Sequence, residues 1–411
     1  MHRGEPGWGI TQERKRQNLP APFEGNGMSE LTEIESSIEA LLTRLPYSTE
    51  PRERELALMA VLKQELAYAC ERNGQYGNYV EQCPTDYRNA RCVADLPFLP
   101  VGVFKADPPL ALIGPGEVTR TLTSSATTGQ VPSRVVLDAG TARRMTKGVT
   151  AIIRDFIGPA RRPYLVIDAP ETMATGGPLG ARGAAIQGLR SFATQIVCCL
   201  RNGNSGNLEL DLDKLREFAA EWRDTEVLVY GFTYVLWNSL VKVLESRNVS
   251  LDMPKVRVFH SGGWKRLEHQ AVTRETFIKG VASVFGCSCD RVIDFYGMVE
   301  NVGVVYPDCE YGNKHAPAFA DVVVRNPLTL EPVAAGQQGL IQVCSVLPTS
   351  FPGFLLLSED LAEIMGYDGC PCGRRGVYFR FVGRAPKAEV RGCGNVETSR
   401  ERCSIGKTTN E

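Results

Sequence analysis

The chain has 411 residues, 43% of them hydrophobic and 23% charged, with a formal net charge of −1. That is more chain than one small compact unit needs, with apolar content sufficient for a real core. The near-neutral balance gives no basic surplus for binding nucleic acid or an anionic membrane surface, and no apolar run is long enough to span a bilayer.

Residues 1–28 are polar, rich in Gly and Pro, and lack the apolar stretch of an export signal, so they are expected to form a disordered tail. Residues 30–45 and 52–72 repeat apolar side chains at three- and four-residue steps, which predicts two amphipathic helices. A loop-rich segment ending in "DLPFLPVGVFK" (95–105) leads to a strand over 118–124. The stretch "LTSSATTGQVPSR" (122–134) follows, and then a helix over 139–157. "PYLVIDA" (163–169) predicts a buried strand and residues 181–200 a helix. "TEVLVYG" (225–231), "KVRVFHSGG" (255–263) and "DRVIDFYG" (290–297) are further strands, with helical patterns at 232–246 and 273–285. This alternation predicts an α/β fold, mostly parallel sheet with flanking helices. From about 318, "AFADVVVRN", "GLIQVCSVL" and "VYFRFVGRA" are strands with little helix between them, so a β-rich part follows. The expected organisation is a tail (1–28), an α/β domain with its β-rich segment (29–383) and a short final segment (384–411).

Thirteen cysteines, an odd number, with no export signal predict reduced thiols in the cytoplasm rather than a disulfide framework. Cys198, Cys199 and Cys344 lie in apolar runs and read as small hydrophobes. Cys309 and His315 in "DCEYGNKH" and Cys370 and Cys372 in "DGCPCGRRG" are two short pairs of soft ligands, the donor set of a tetrahedral structural Zn²⁺. Their spacing is looser than two C-x₂-C pairs, so unmetallated thiols fit it as well. Cys393, between Gly392 and Gly394, fits a free cysteine in a Gly-rich turn. It equally fits a thiol that approaches an electrophile closely.

The hydroxyl-rich stretch has five Ser/Thr in its first seven residues. Between a strand and a helix of a parallel sheet it would lie at the strand's carboxyl end, where ligands bind. Backbone N–H groups and hydroxyls there could wrap phosphate oxygens, although the stretch is no Walker loop and also reads as a polar surface turn. "TGGPLGARGAA" (175–185), with Arg182, is a weaker second candidate of the same kind. His260 reads as a pocket residue or as a structural histidine.

"SSATTGQVPS" resembles the phosphate loop of the adenylate-forming enzymes. "HSGGW" (260–264), "DFYGMVE" (294–300), "SED" (358–360) and "VGRAPKAEVRGCG" (382–394) resemble further motifs of that superfamily, in its order. Within it, most of 90–395 is similar to the LuxE-type acyl-protein synthetases of bacterial bioluminescence. The resemblance implies the large α/β domain of an adenylate-forming ligase. It also implies ATP- and Mg²⁺-dependent activation of a fatty or related carboxylic acid as acyl-AMP. The acyl group would then pass to an enzyme cysteine and on to a partner protein, a reductase or carrier.

Carried over residue by residue, Ser124, Ser125, Thr127, Thr128 and Gly129 would hold phosphates. Gly262 and Gly263 would line the acyl and adenine pockets, and Tyr296 and Gly297 would lie near adenine. Glu300 would place the metal, Asp360 would bind the ribose hydroxyls, and Cys393 would take the acyl group. Phenylacetate-CoA ligase-like chains show a similar C…H…C-x-C pattern, in line with a zinc at Cys309, His315, Cys370 and Cys372. Ala126 and Val299 depart from the superfamily's Gly and Thr. Only 27 residues follow Arg384, too few for the superfamily's mobile C-terminal domain and its lysine. The cation for the first half-reaction is therefore open among Arg134, Lys265, Arg384 and Lys387, with Lys265 and Arg384 placed in the catalytic set. Two other readings compete: an acyl- or aryl-CoA ligase, and a non-catalytic adenylate-forming fold that binds a nucleotide or partner.

Overall fold

The two leading helical patterns fold as α1 (Gly27–Leu42) and α2 (Pro51–Arg72). Pro51 opens α2, where a missing N–H costs nothing, and the Glu50 carboxylate accepts from the free N–H groups of Arg52 and Glu53 at 3.0 and 3.2 Å. Leu58, Leu62 and Leu66 recur on the inward face and are buried. Truncating Leu62 to Ala would cost about 2–5 kcal/mol. A computed structural model describes residues 27–124, 131–173, 179–203, 207–264 and 270–385.

After α3 (Gly74–Glu81), β1 (Leu99–Pro100) enters a 3₁₀ turn, Val101–Lys105. Then come β2 (Arg120–Thr123), β3 (Arg134–Leu137), α4 (Ala139–Ile157), β4 (Arg162–Val166), β5 (Leu179–Gly180), α5 (Ala181–Gly188) and β6 (Ala193–Cys198). A small ribbon, β7 (Leu200–Asn202) and β8 (Leu208–Leu210), precedes α6 (Leu212–Trp222) and β9 (Val227–Phe232). α7 (Thr233–Val235) passes through a π-helical stretch (Leu236–Val241) into α8 (Lys242–Ser246). β10 (Val256–Ser261), α9 (Arg274–Phe285), β11 (Val292–Tyr296), β12 (Tyr306–Pro307) and β13 (Lys314–His315) follow. The last strands are β14 (Ala320–Arg325), β15 (Gln338–Ser345), β16 (Leu355–Tyr367) and β17 (Val377–Arg384).

The first large sheet has the order β12-β11-β10-β9-β4-β6 and is parallel except at β11–β12. Every residue of β9 is buried, as a strand covered on both faces requires. The second large sheet, β13-β17-β16-β15-β14, is antiparallel, and β1 joins it beside β16. Each sheet has its own hydrophobic core, one shared with α1 and α2 and the other with α6 and α9. The fold is the predicted α/β class with a β-rich C-terminal part.

Two local expectations are corrected. Only Ala181–Gly188 of the predicted 181–200 helix is α-helical. Beyond it the β-branched Thr194, Ile196 and Val197 form β6, with Tyr164 facing Ile196 across the parallel ladder to β4. The hydroxyl-rich stretch does not run from a parallel strand into a helix. β2 and β3 pair antiparallel, with Leu122 opposite Val135, and belong to a separate sheet, β3-β2-β5. The 139–157 helix begins only after β3, where the Asp138 carboxylate accepts from Thr141 N–H at 2.6 Å. The sequence reading also passed over β16, whose "SED" interrupts its apolar run.

Cys198, Cys199 and Cys344 are buried as expected, and burial pushes the Cys198 thiol up to about 11.

Candidate active site and cysteine–histidine cluster

The mouth of the β2–β3 hairpin is closed by two serines. Ser124 N–H donates to the Ser133 carbonyl at 3.0 Å, and Ser133 N–H donates to Ser124 Oγ at 2.9 Å. The Ser133 hydroxyl is hydrogen-bonded to the carboxylate of Glu300, which is 5% exposed in the turn after β11. Burial pushes the Glu300 carboxyl above its usual range, against the pull of Ser133, its own backbone N–H and Lys105.

Asp360, on β16, accepts from the Tyr296 hydroxyl at 3.0 Å and lies 3.6 Å from Arg384 Nε. Burial raises its carboxyl too, while the Tyr296 hydrogen bond and the Arg384 charge oppose the shift. The Tyr296 ring is stacked between Phe381 and Tyr306, with centroids at 5.0 and 6.1 Å. At the end of β10, Gly262 has φ +84° and Gly263 φ +56°. A Cβ on Gly262 would lie 2.7 Å from the Phe232 ring, so only glycine fits that turn.

These groups surround a cavity of about 360 Å³. Ser124, Gly262, Gly297, Glu300, Asp360 and Arg384 line it, with Tyr296 directly behind Asp360 and Gly263 one residue beyond the lining. Met145, Val149 and Ile153 from α4, and Ala184, Ala185 and Leu189 at α5, add apolar lining. The lining thus combines carboxylates, hydroxyls and cations with a stretch of hydrocarbon.

The remaining predicted site residues, Ser125, Thr127, Thr128, Gly129, Lys265 and Cys393, lie outside the described residues, as does Lys387. Arg134 does not line the cavity; it donates to the Ala106 carbonyl at 3.4 Å and pairs with Asp107 at 2.9 Å. Arg182 is held by Asp168 at 3.1 Å and by Tyr234 and Thr172 at 3.2 Å, so its charge is answered within the fold. His260 is buried with Nδ1 3.0 Å from the Thr233 hydroxyl and does not line the cavity. Sequence reasoning missed Lys105, which lines the cavity close to Glu359 at 3.8 Å. Its motif, "LPFLPVGVFK", was visible, but nothing local says which side chain that turn aims inward.

Away from the cavity, Cys309, His315, Cys370 and Cys372 converge, with all four ligand atoms within 4.8 Å of one another. The Cys309 and Cys370 sulfurs are 3.8 Å apart, and Cys372 Sγ lies 3.3 Å from His315 Nε2. Two thiolates bound at 2.3 Å in a tetrahedron stand about 3.8 Å apart, whereas a disulfide requires about 2.05 Å, so the set fits zinc. Without an ion, burial pushes the Cys309 thiol up to about 12 and the His315 imidazole down to about 4, which leaves the imidazole neutral and able to ligate.

Ion pairs also hold the two ligand loops. Lys314 is fully buried between Asp294 at 2.8 Å and Asp308 at 3.0 Å. Arg374 pairs with Asp155 at 2.7 Å and Glu310 at 3.0 Å, and lies 4.0 Å over the Phe156 ring.

The family model described as acyl-protein synthetase, LuxE, matches residues 29–400. The chain belongs to the LuxE family. It is a ligase of the acyl-protein synthetase type, and family and fold together support ATP-driven activation of an acyl group.

The long-chain-fatty-acid–luciferin-component ligase of Aliivibrio fischeri is 22% identical over 364 residues, which span 85% of this LuxE-family chain and 91% of that enzyme. The ligase of the same name from Vibrio harveyi is 27% identical over 138 residues, 33% of this chain and 35% of its own. Among solved structures, an open conformation of 2-hydroxyisobutyryl-CoA ligase in complex with 2-HIB-AMP and CoA superposes with a TM-score of 0.62 at 18% identity. It covers 82% of this chain and 76% of that one. The postadenylation state of the same ligase gives 0.62 at 19%, covering 82% and 69%. This likeness establishes the adenylate-forming fold. No helix among the described residues is long and apolar enough to cross a membrane.

Proposed function

We propose that this LuxE-family ligase activates a fatty or related carboxylic acid as acyl-AMP and passes the acyl group through Cys393 to a partner protein, a reductase or carrier, in the cytoplasm. The observation that carries the reading is one cavity lined both by Glu300 and Asp360 and by the apolar side chains of α4 and α5. A carboxylate oxygen bonds to the α-phosphorus of ATP, and pyrophosphate leaves. Asp360 accepts hydrogen bonds from the ribose hydroxyls, and the Tyr296 ring lies beside the adenine. Glu300, a carboxyl in the cavity lining, is the residue that would hold Mg²⁺, whose charge would offset the burial that disfavours the carboxylate and which supplies neutralisation of phosphate charge when bound. The Cys393 thiolate then attacks the acyl carbonyl, forming a thioester and releasing AMP. The acceptor's nucleophile takes the acyl group and the thiol regains its proton. Intact-mass analysis after incubation with ATP, Mg²⁺ and a mixture of acids tests this. An acyl adduct on the protein is expected, and product appearing only on added coenzyme A would replace the covalent relay by a CoA ligase.

The four-ligand cluster is proposed to carry structural zinc. All four donors come from the protein and leave no open position for catalysis. Purified protein should then hold about one equivalent of zinc through mild dialysis. Cys372→Ser should lose the metal and melt at lower temperature, because the ion ties the loop at 309–315 to that at 370–372. Metal-free protein of unchanged melting temperature would remove the zinc.

A further inference from the structure

We propose that Lys105 is a catalytic residue of acyl-adenylate formation, its ammonium neutralising the charge that builds on the α-phosphate as the acid's carboxylate attacks. The inference rests on the adenylation reading above. In that step one carboxylate-oxygen–phosphorus bond forms. The bond from phosphorus to the bridging oxygen of pyrophosphate breaks, and its electron pair leaves on that oxygen. No proton moves, so what the protein must supply is positive charge held in place.

Among the described residues, three cations line the cavity: Lys105, Arg120 and Arg384. Arg120 is four residues up β2 from Ser124, about 13 Å at the rise of an extended strand, and so stands far from the hairpin mouth. Arg384 leans toward Asp360, the carboxylate assigned to the ribose. Lys105 differs from both. It ends the 3₁₀ turn Val101–Lys105, and the next two residues, Ala106 and Asp107, are stitched to Arg134 at the start of β3. Arg134 adjoins Ser133, which closes the hairpin mouth and hydrogen-bonds Glu300. The backbone therefore holds Lys105 beside both the phosphate-loop anchor and the Glu300 carboxylate.

The ammonium is also available. Among the described residues, its one ion pair is the 3.8 Å contact to Glu359, whose side chain is 54% exposed while that of Lys105 is 37% exposed. Exposed pairs of this kind hold their partners weakly, so a phosphate entering the cavity takes the ammonium from Glu359 readily.

The test is ATP–pyrophosphate exchange with a panel of straight-chain acids, comparing wild type with Lys105→Met and Lys105→Arg. Lys105→Met should lose roughly 10²–10³-fold in exchange turnover, with the KM values for ATP and acid within a few-fold of wild type, because the interaction is made in the transition state. Lys105→Arg should keep a tenth or more of the turnover. Should Lys105→Met fail to fold, Lys105→Gln takes its place with the same expectation. Turnover within threefold of wild type in the neutral variant, or a change confined to KM, would overturn the role of Lys105 and leave adenylation standing. Absence of exchange by the wild type with every acid would overturn adenylation itself, and this inference with it.

Discussion

Replacing Glu300 by Gln is expected to cut ATP–pyrophosphate exchange by roughly 10²–10³-fold while leaving the fold intact or more stable. The loss follows from charge: the isosteric amide keeps the shape and the Ser133 contact but cannot anchor a cation beside the phosphates. The stability change follows from burial, which raises the Glu300 carboxyl above its unfolded value of 4.5. Between the unfolded and folded values the native state binds more protons than the unfolded state. Stability contributed by this group therefore falls as pH rises through that window and is not regained above it. Glu300→Gln removes the dependence, so thermal melts at neutral pH should show a melting temperature equal to or above wild type. The same shift displaces the acid limb of exchange upward from the usual carboxylate range. Ser133→Ala, which deletes a hydrogen bond to the ionised form, should move that limb further up. A variant with normal exchange, or a limb unmoved by Ser133→Ala, would show that Glu300 is a structural carboxyl.

Cys393→Ser is expected to abolish the acyl-thioester label while keeping ATP–pyrophosphate exchange within a few-fold of wild type. Exchange reports carboxylate attack on phosphorus, which needs no thiol. The label reports attack of sulfur on the acyl carbonyl, which a serine hydroxyl does not perform at neutral pH without an activating base. Asp360→Ala should lose both signals, since no adenylate forms to be captured. A hydroxylamine-labile label persisting in Cys393→Ser would move the nucleophile to another cysteine, with Cys403 the next to test. Loss of exchange in a folded Cys393→Ser protein would place this residue in adenylation and end the relay.

Particular residues show how much of the site could be read in advance. Gly262, Gly297, Glu300 and Asp360 were named from ordered motifs, and the fold gathers all four around one cavity. Such motifs are legible because each is a short local constraint: a glycine where φ is positive, a carboxylate in the turn after a strand. The setting of the hydroxyl-rich stretch was not legible. "RVVL" is too short to declare itself as a strand, and whether β2 pairs with β3 or feeds a helix depends on partners supplied by the hairpin. The 181–200 segment failed for a related reason. Its apolar residues suit either period, and the vacant edge of β4 chose strand for the second half.

By itself the sequence determined the alternation of strand and helix, the β-rich end, the family motifs in their order, and the Cys/His set at 309, 315, 370 and 372. All of these are periodic or closely spaced patterns that a chain carries whatever its partners. Only the tertiary structure decided that those four ligand atoms meet within 4.8 Å, that Arg134 and Arg182 pair with Asp107 and Asp168, and that Lys105 and Glu300 line one cavity. Those outcomes depend on contacts between residues well separated along the chain, from Arg182 and Asp168 to Lys105 and Glu359. Side-chain direction across such distances is set by sheet order and packing, which no spacing along the chain encodes.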